Sequence, residues 1–128
     1  MADNPRRKIM IVDDNEVVRE VVQTVLAERG NDVIALESPF DFAATLQREK
    51  PDLVLMDVNM PALQGDVIVG LVGPYSLHKC PIVLHSDRSE TELEDLVARS
   101  GAAGFIRKTG DPDELWHRIE EFLAPGEE

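Results

Sequence analysis

Asp13, Asp14, Asp57, Ser86 and Lys108 are the residues of this 128-residue chain whose types and placement could do phosphate chemistry. Three carboxylates brought together repel one another and raise one another's pKa, so they need a cation to remain ionised. The donors in this pattern are hard oxygens, with no histidine or cysteine among them, which favours Mg²⁺ over zinc. Lys108 adds a point charge suited to a phosphoryl oxygen, and the Ser86 hydroxyl can donate to another. The role left over is that of nucleophile. An aspartate beside a divalent cation and a lysine can take a phosphoryl group as a mixed anhydride, and Asp57 is placed for it.

These residues come together only if the elements that carry them end at one edge. Leu53 to Met56 is a short apolar run between Pro51 and Pro61, which suits a strand buried on both faces of a parallel sheet. Asp57 ends that run. A carboxylate there is too costly for the core, so it belongs at the strand exit, where parallel α/β sheets keep their chemistry. Lys8 to Val12 stops at Asp13-Asp14 in the same way, Pro81 to Leu84 stops at His85-Ser86-Asp87, and Gly104 to Arg107 stops at Lys108-Thr109. Val33 to Leu36 reads as one more strand.

Helical spacing fills the intervals. From Asn15, the residues Val17, Val18, Val21, Val22, Val25 and Leu26 form one stripe, with Gly30 placed for the C-cap. Ser38-Pro39 starts a helix carrying Phe40, Ala43 and Leu46. Gly65 to Val72 gives a short helix limited by Gly73 and Pro74. Ser89 to Glu92 forms a capping box ahead of Leu93, Leu96 and Val97, with Gly101 as the stop. Asp111-Pro112 opens a last helix presenting Leu115, Ile119, Phe122 and Leu123, with Trp116 at the edge of that stripe. Strand and helix alternate about five times, which predicts a parallel α/β sheet with helices on both faces through right-handed crossovers.

Composition narrows the function. Thirteen basic against twenty-five acidic side chains give a net charge of −12, which opposes direct contact with nucleic acid. No apolar run is long enough to span a bilayer, no secretory pattern occupies Met1 to Lys8, and the lone Cys80 has no internal partner, so a cytoplasmic location away from the membrane is expected. His78, His85 and His117 lack metal-ligand spacing and read as surface or edge residues. Glycine-rich nucleotide-binding motifs are missing. Asp13-Asp14-Asn15 does not supply the Asp-x-Asp pair of a dehalogenase-type phosphatase.

From Lys8 to Leu123 the chain resembles the receiver domains of two-component response regulators, including the chemotaxis type. The resemblance is carried by Asp13-Asp14, by Asp57-Val58-Asn59-Met60-Pro61 with Gly65 following, by Ser86, and by Lys108 with Phe105 three residues before it. It implies a flavodoxin-like, doubly wound five-stranded sheet in the order 2-1-3-4-5. The length and the lack of linker-like composition predict a single domain over residues 1–128, with a core at 8–123 and polar tails at 1–7 and 124–128. Asp57 would accept phosphate from a histidine kinase or phosphotransfer protein. Asp14, Asp57 and the main-chain carbonyl of Asn59 would hold Mg²⁺, with Asp13 acting directly or through water. Ser86 would move toward the phosphoryl group, and Phe105 would be the switching aromatic. Such a domain is a signalling module that catalyses its own phosphorylation and hydrolysis, rather than an enzyme acting on other substrates. Its readout face, made of the fourth helix, last strand and last helix, would meet a downstream protein, and the fourth and fifth helices offer a homodimer face. Ala-Pro-Gly-Glu-Glu after Leu123 reads as a tail, so the chain is either a regulator that acts by protein contact or an excised piece.

Two residues depart from the family pattern. Thr109 follows Lys108 where proline is common, so a trans peptide is expected there, because a cis bond without proline costs roughly 2.5 to 4 kcal/mol. Asp87 follows Ser86 where a small residue is usual. It either lies on the path of an anionic phosphodonor or caps the helix beginning near Ser89. These departures leave one rival, a receiver-like interaction module independent of phosphorylation that uses Trp116 and neighbouring apolar residues.

Overall fold

Leu53–Asp57 forms the central strand, and all of it is buried, as a strand flanked on both sides and covered on both faces must be. The computed structural model describes residues 6–59, 65–75 and 80–123. Strands Lys8–Val12 (β1), Asp32–Leu36 (β2), Leu53–Asp57 (β3), Ile82–Ser86 (β4) and Gly104–Arg107 (β5) pair in parallel in the order β2-β1-β3-β4-β5. Helices Glu16–Glu28 (α1), Phe42–Glu49 (α2), Gly65–Val72 (α3), Glu90–Ser100 (α4) and Pro112–Leu123 (α5) alternate with them. This is the five-stranded, doubly wound α/β sheet expected, with the strand order 2-1-3-4-5. Met60, Pro61 and His78 lie outside the described residues.

Alternation along the strands makes two cores. Met10, Val12, Val54, Met56, Ile82 and Leu84 point to one face, where Phe42 and Leu46 of α2, Ile68 and Val72 of α3, and Leu93 and Leu96 of α4 cover them. Ile9, Ile11, Leu53, Leu55, Val83 and Ile106 point to the other, under Val22 and Leu26 of α1 and Ile119 of α5. Trp116 packs at the margin of this second core, its expected place.

The cap chemistry holds. The Asn15 side chain accepts from the Val18 N–H, Ser89 and Glu92 form the capping box, and Gly30 and Gly101 follow their helices at φ +86° and +79°. Two stripes need correction. Ser38 caps a single 3-10 turn, Pro39–Asp41, before α2 begins, so Phe40 falls outside the α-helix while Leu46 keeps its place in the core. Phe42 is therefore buried and Phe40 is 79% exposed. In α1, Val22, Val25 and Leu26 are buried, but Val17 and Val21 are 69% and 52% exposed. The valine stripe is wider than the surface the sheet and α5 offer it.

Candidate functional site

The strand register decides which side chains meet. β3 pairs Met56 with Val12 and Asp57 with His85, and β4 pairs Ser86 with Arg107. Continuing β1 by one residue puts Asp13 beside Asp57 at the carboxyl edge. Carboxylate oxygens of Asp13, Asp14 and Asp57 all lie within 4.8 Å of one another. Asp13 and Asp57 are buried at the edge, whereas Asp14 is exposed. The three acids expected to gather thus do so, and a set of hard oxygens at this spacing fits Mg²⁺.

Lys108 reaches the same point from β5. Its Nζ donates to Asp57 Oδ1 at 3.0 Å and lies 3.6 Å from Asp13 Oδ2. The Asn59 N–H also donates to Asp57 Oδ1, at 3.0 Å. Asp57 Oδ2 receives no hydrogen bond among the described residues. Since no fully buried side-chain oxygen among them lacks a partner, Oδ2 keeps a narrow contact with solvent, although Asp57 as a whole is only 2% exposed. Asp13 Oδ1 accepts from the Asn15 N–H at 2.9 Å. Burial raises the Asp13 pKa above its usual 3.8; the Asn15 N–H and Lys108 pull it down, and the Asp57 charge pushes it up.

On the other sheet face, the fully buried Ser86 and the half-buried Phe105 are diagonal neighbours, because Leu84 pairs with Phe105 and Ser86 with Arg107. Ser86 Oγ donates to Asn59 Oδ1 at 2.7 Å and accepts from the Arg88 N–H at 2.9 Å. The Asn59 amide then donates to Asp87 Oδ1 at 3.1 Å. Asp87 therefore does not cap α4, a task that Ser89 and Glu92 perform, and is tied instead to Asn59, whose main-chain N–H holds Asp57. No cis peptide bond occurs among the described residues, so Thr109 follows Lys108 in trans. The Thr109 hydroxyl accepts from the Asp111 N–H at 3.2 Å, closing the turn that leads to α5.

Sequence reasoning missed His85. Expected at the surface or an edge, it lies at the carboxyl edge but is only 6% exposed, and its place in the row of Asp57 follows from the phase of β4. Burial, and secondarily Lys108, lower its pKa from 6.5 to about 4. The neutral ring lies at a cleft of about 200 Å³ whose walls include Val17, Val18 and Val21 of α1 and Lys108 and Thr109. Cys80 is half-buried, and its thiol is pushed up to about 11 by burial, consistent with packing rather than reactivity.

Comparison with known proteins follows the same lines. The family model described as response regulator receiver domain matches residues 9–120. The chain is 29% identical over 118 residues to Protein PilH of Pseudomonas aeruginosa, covering 91% of the chain and 98% of that protein. It is 35% identical over 116 residues to the transcriptional regulatory protein YxdJ of Bacillus subtilis, covering 88% of the chain and 48% of that protein. Apart from PilH, the chain spans about half the length, or less, of curated relatives such as these. The fold is that of the chemotaxis response regulator CheY4 of Vibrio cholerae, with a TM-score of 0.80 at 24% identity over 93% of this chain and 100% of that one.

Proposed function

The chain belongs to the response regulator receiver domain family, and from that premise we propose that it takes a phosphoryl group onto Asp57 from a histidine kinase or phosphotransfer protein and thereby changes the surface it shows to a downstream protein. The observation that carries this reading is the Lys108 ammonium, 3.0 Å from an aspartate that shares its pocket with two further carboxylates. Asp57 Oδ1 already holds two donors, so Oδ2 is the oxygen left to attack phosphorus. The new bond is Oδ2–P. The bond broken is from phosphorus to the donor's imidazole nitrogen, which keeps the electron pair. Lys108 and Ser86 stabilise the charge on the transferring oxygens.

Asp14, Asp57 and the Asn59 carbonyl would hold Mg²⁺, with Asp13 acting directly or through water. The bound ion neutralises charge on the phosphoryl oxygens. The domain would later lose the group to water at the same site, so it is a self-catalysing phosphoacceptor within one domain, not an enzyme with other substrates. A cytoplasmic setting suits such a partner set, and among the described residues no helix is long and apolar enough to cross a membrane.

The exposed Val17 and Val21, which line a cleft with Lys108 and Thr109, would give the donor protein an apolar surface beside the Lys108 turn. Ser86 and Phe105 share the face covered by α4, so a shift of the hydroxyl toward phosphate would be felt at α4 and β5, and α5 is tied to β5 by Arg118 donating to the Phe105 carbonyl; a downstream protein or a second copy would bind this α4, β5 and α5 surface. Titration calorimetry with beryllofluoride and Mg²⁺ tests the reading. Wild type should bind one equivalent and Asp57→Asn none; binding retained by a folded Asp57→Asn would place the acceptor elsewhere.

A further inference from the structure

We propose that Asp87 is a positioning residue which, through the side chain of Asn59, holds the Ser86 hydroxyl in a resting hydrogen bond that must break before it can serve a phosphoryl group. The inference rests on the phosphoacceptor role of Asp57 and adds a resting-state latch to it. A serine hydroxyl has one proton to give. Here that proton goes to Asn59 Oδ1 at 2.7 Å, while the Arg88 N–H occupies a lone pair of the same oxygen at 2.9 Å. A phosphoryl oxygen on Asp57 must therefore compete with Asn59 for it.

What makes Asn59 an acceptor toward Ser86 is the residue on its other side. An amide can present either its oxygen or its NH₂ group to a hydroxyl, and the hydrogen-bond network decides which. An ionised carboxylate only accepts. With Asp87 Oδ1 3.1 Å from Asn59 Nδ2, the NH₂ group is drawn toward Asp87 and the oxygen is turned to Ser86. Without the carboxylate, the amide is free to turn over and donate to Ser86 Oγ, and the serine proton is released for phosphate. The surrounding loop has separate fastenings: the Arg88 guanidinium donates to the Val58 carbonyl at 2.9 Å, and the Arg107 side chain donates to the Arg88 carbonyl at 3.1 Å. Truncating Asp87 thus frees the amide and leaves the loop in place.

A double-mutant cycle in the full chain, read by beryllofluoride affinity at saturating Mg²⁺, tests the latch. Asp87→Ala and Asn59→Ala should each tighten binding about fivefold, the worth of one ordinary hydrogen bond, and the double variant should be no tighter than either. Equal affinity in wild type and Asp87→Ala would overturn the latch. So would an Asp87→Ala effect that persists in the Asn59→Ala background and fades with added salt, which is the behaviour of simple repulsion between the carboxylate and the anion. Failure of wild type to bind beryllofluoride at all would overturn the phosphoacceptor reading itself, and the latch with it.

Discussion

His85 carries a pH dependence whose sign follows from its burial. In the unfolded chain the imidazole gains its proton near pH 6.5, but in the fold it does so only near pH 4. Above 6.5 both states are neutral and the contribution to stability is intact. As pH falls from 6.5 toward 4, the unfolded state binds a proton that the folded state refuses, so stability is lost. At about 1.4 kcal/mol per pH unit the interval corresponds to roughly 3 kcal/mol. Urea melts at pH 7 and pH 4 should show wild type losing about that much more than His85→Leu, and equal losses would show that the ring is not held neutral. Asp13 acts in the opposite sense: its raised pKa adds stability in acid, and this is lost as pH rises through the folded value. The sequence made the acids legible because each ends an apolar run. His85 is less legible because the spacing of a histidine to other ligands says nothing of burial, which here follows from the phase of β4 that turns it inward. The link from Ser86 through Asn59 to Asp87 joins residues 27 and 28 positions apart, and no local pattern announces it.

Among the elements, caps and glycines marked the boundaries well, because their chemistry is local. Asn15, Ser89 with Glu92, and Gly101 perform the roles their types favour. The faces were harder to read. Ser38-Pro39 starts a 3-10 turn as readily as a helix, and that choice exchanges Phe40 for Phe42 in the core. For α1, periodicity gives the direction of the apolar face but not how much of it a neighbour covers. The uncovered part has a consequence for docking. Val21→Asp should slow phosphotransfer from a protein donor tenfold or more, since it places a charge at an apolar contact. Labelling by acetyl phosphate, which needs no docking surface, should keep its rate, and equal slowing of both reactions would remove α1 from the donor interface. β5 and α5 approach so closely that a Cβ on Gly104 would lie 2.7 Å from the Phe122 ring. Gly104→Ala should therefore cost about 1 to 3 kcal/mol in urea melts, and a neutral result would mean that the ring moves aside freely.

At the scale of the whole molecule, strand order and crossover direction bring four strand ends to one edge, and that edge concentrates three carboxylates on a chain of net charge −12. A cation that binds there in the folded state alone should stabilise the entire domain. At a hundredfold excess over its dissociation constant, Mg²⁺ should add about 2.7 kcal/mol to the unfolding free energy, and Asp14→Ala should lose most of that gain; equal midpoints for the two proteins at saturating Mg²⁺ would remove the ion from the site. The central claim is that this edge is a phosphoacceptor with Asp57 as its nucleophile. Intact mass spectrometry after incubation with acetyl phosphate and Mg²⁺ tests it most directly. Wild type should gain the mass of a single phosphoryl group, stable in acid and lost in base, while a folded Asp57→Asn gains none. An unmodified wild type, or a phosphoryl group that survives the Asp57→Asn substitution, would contradict it.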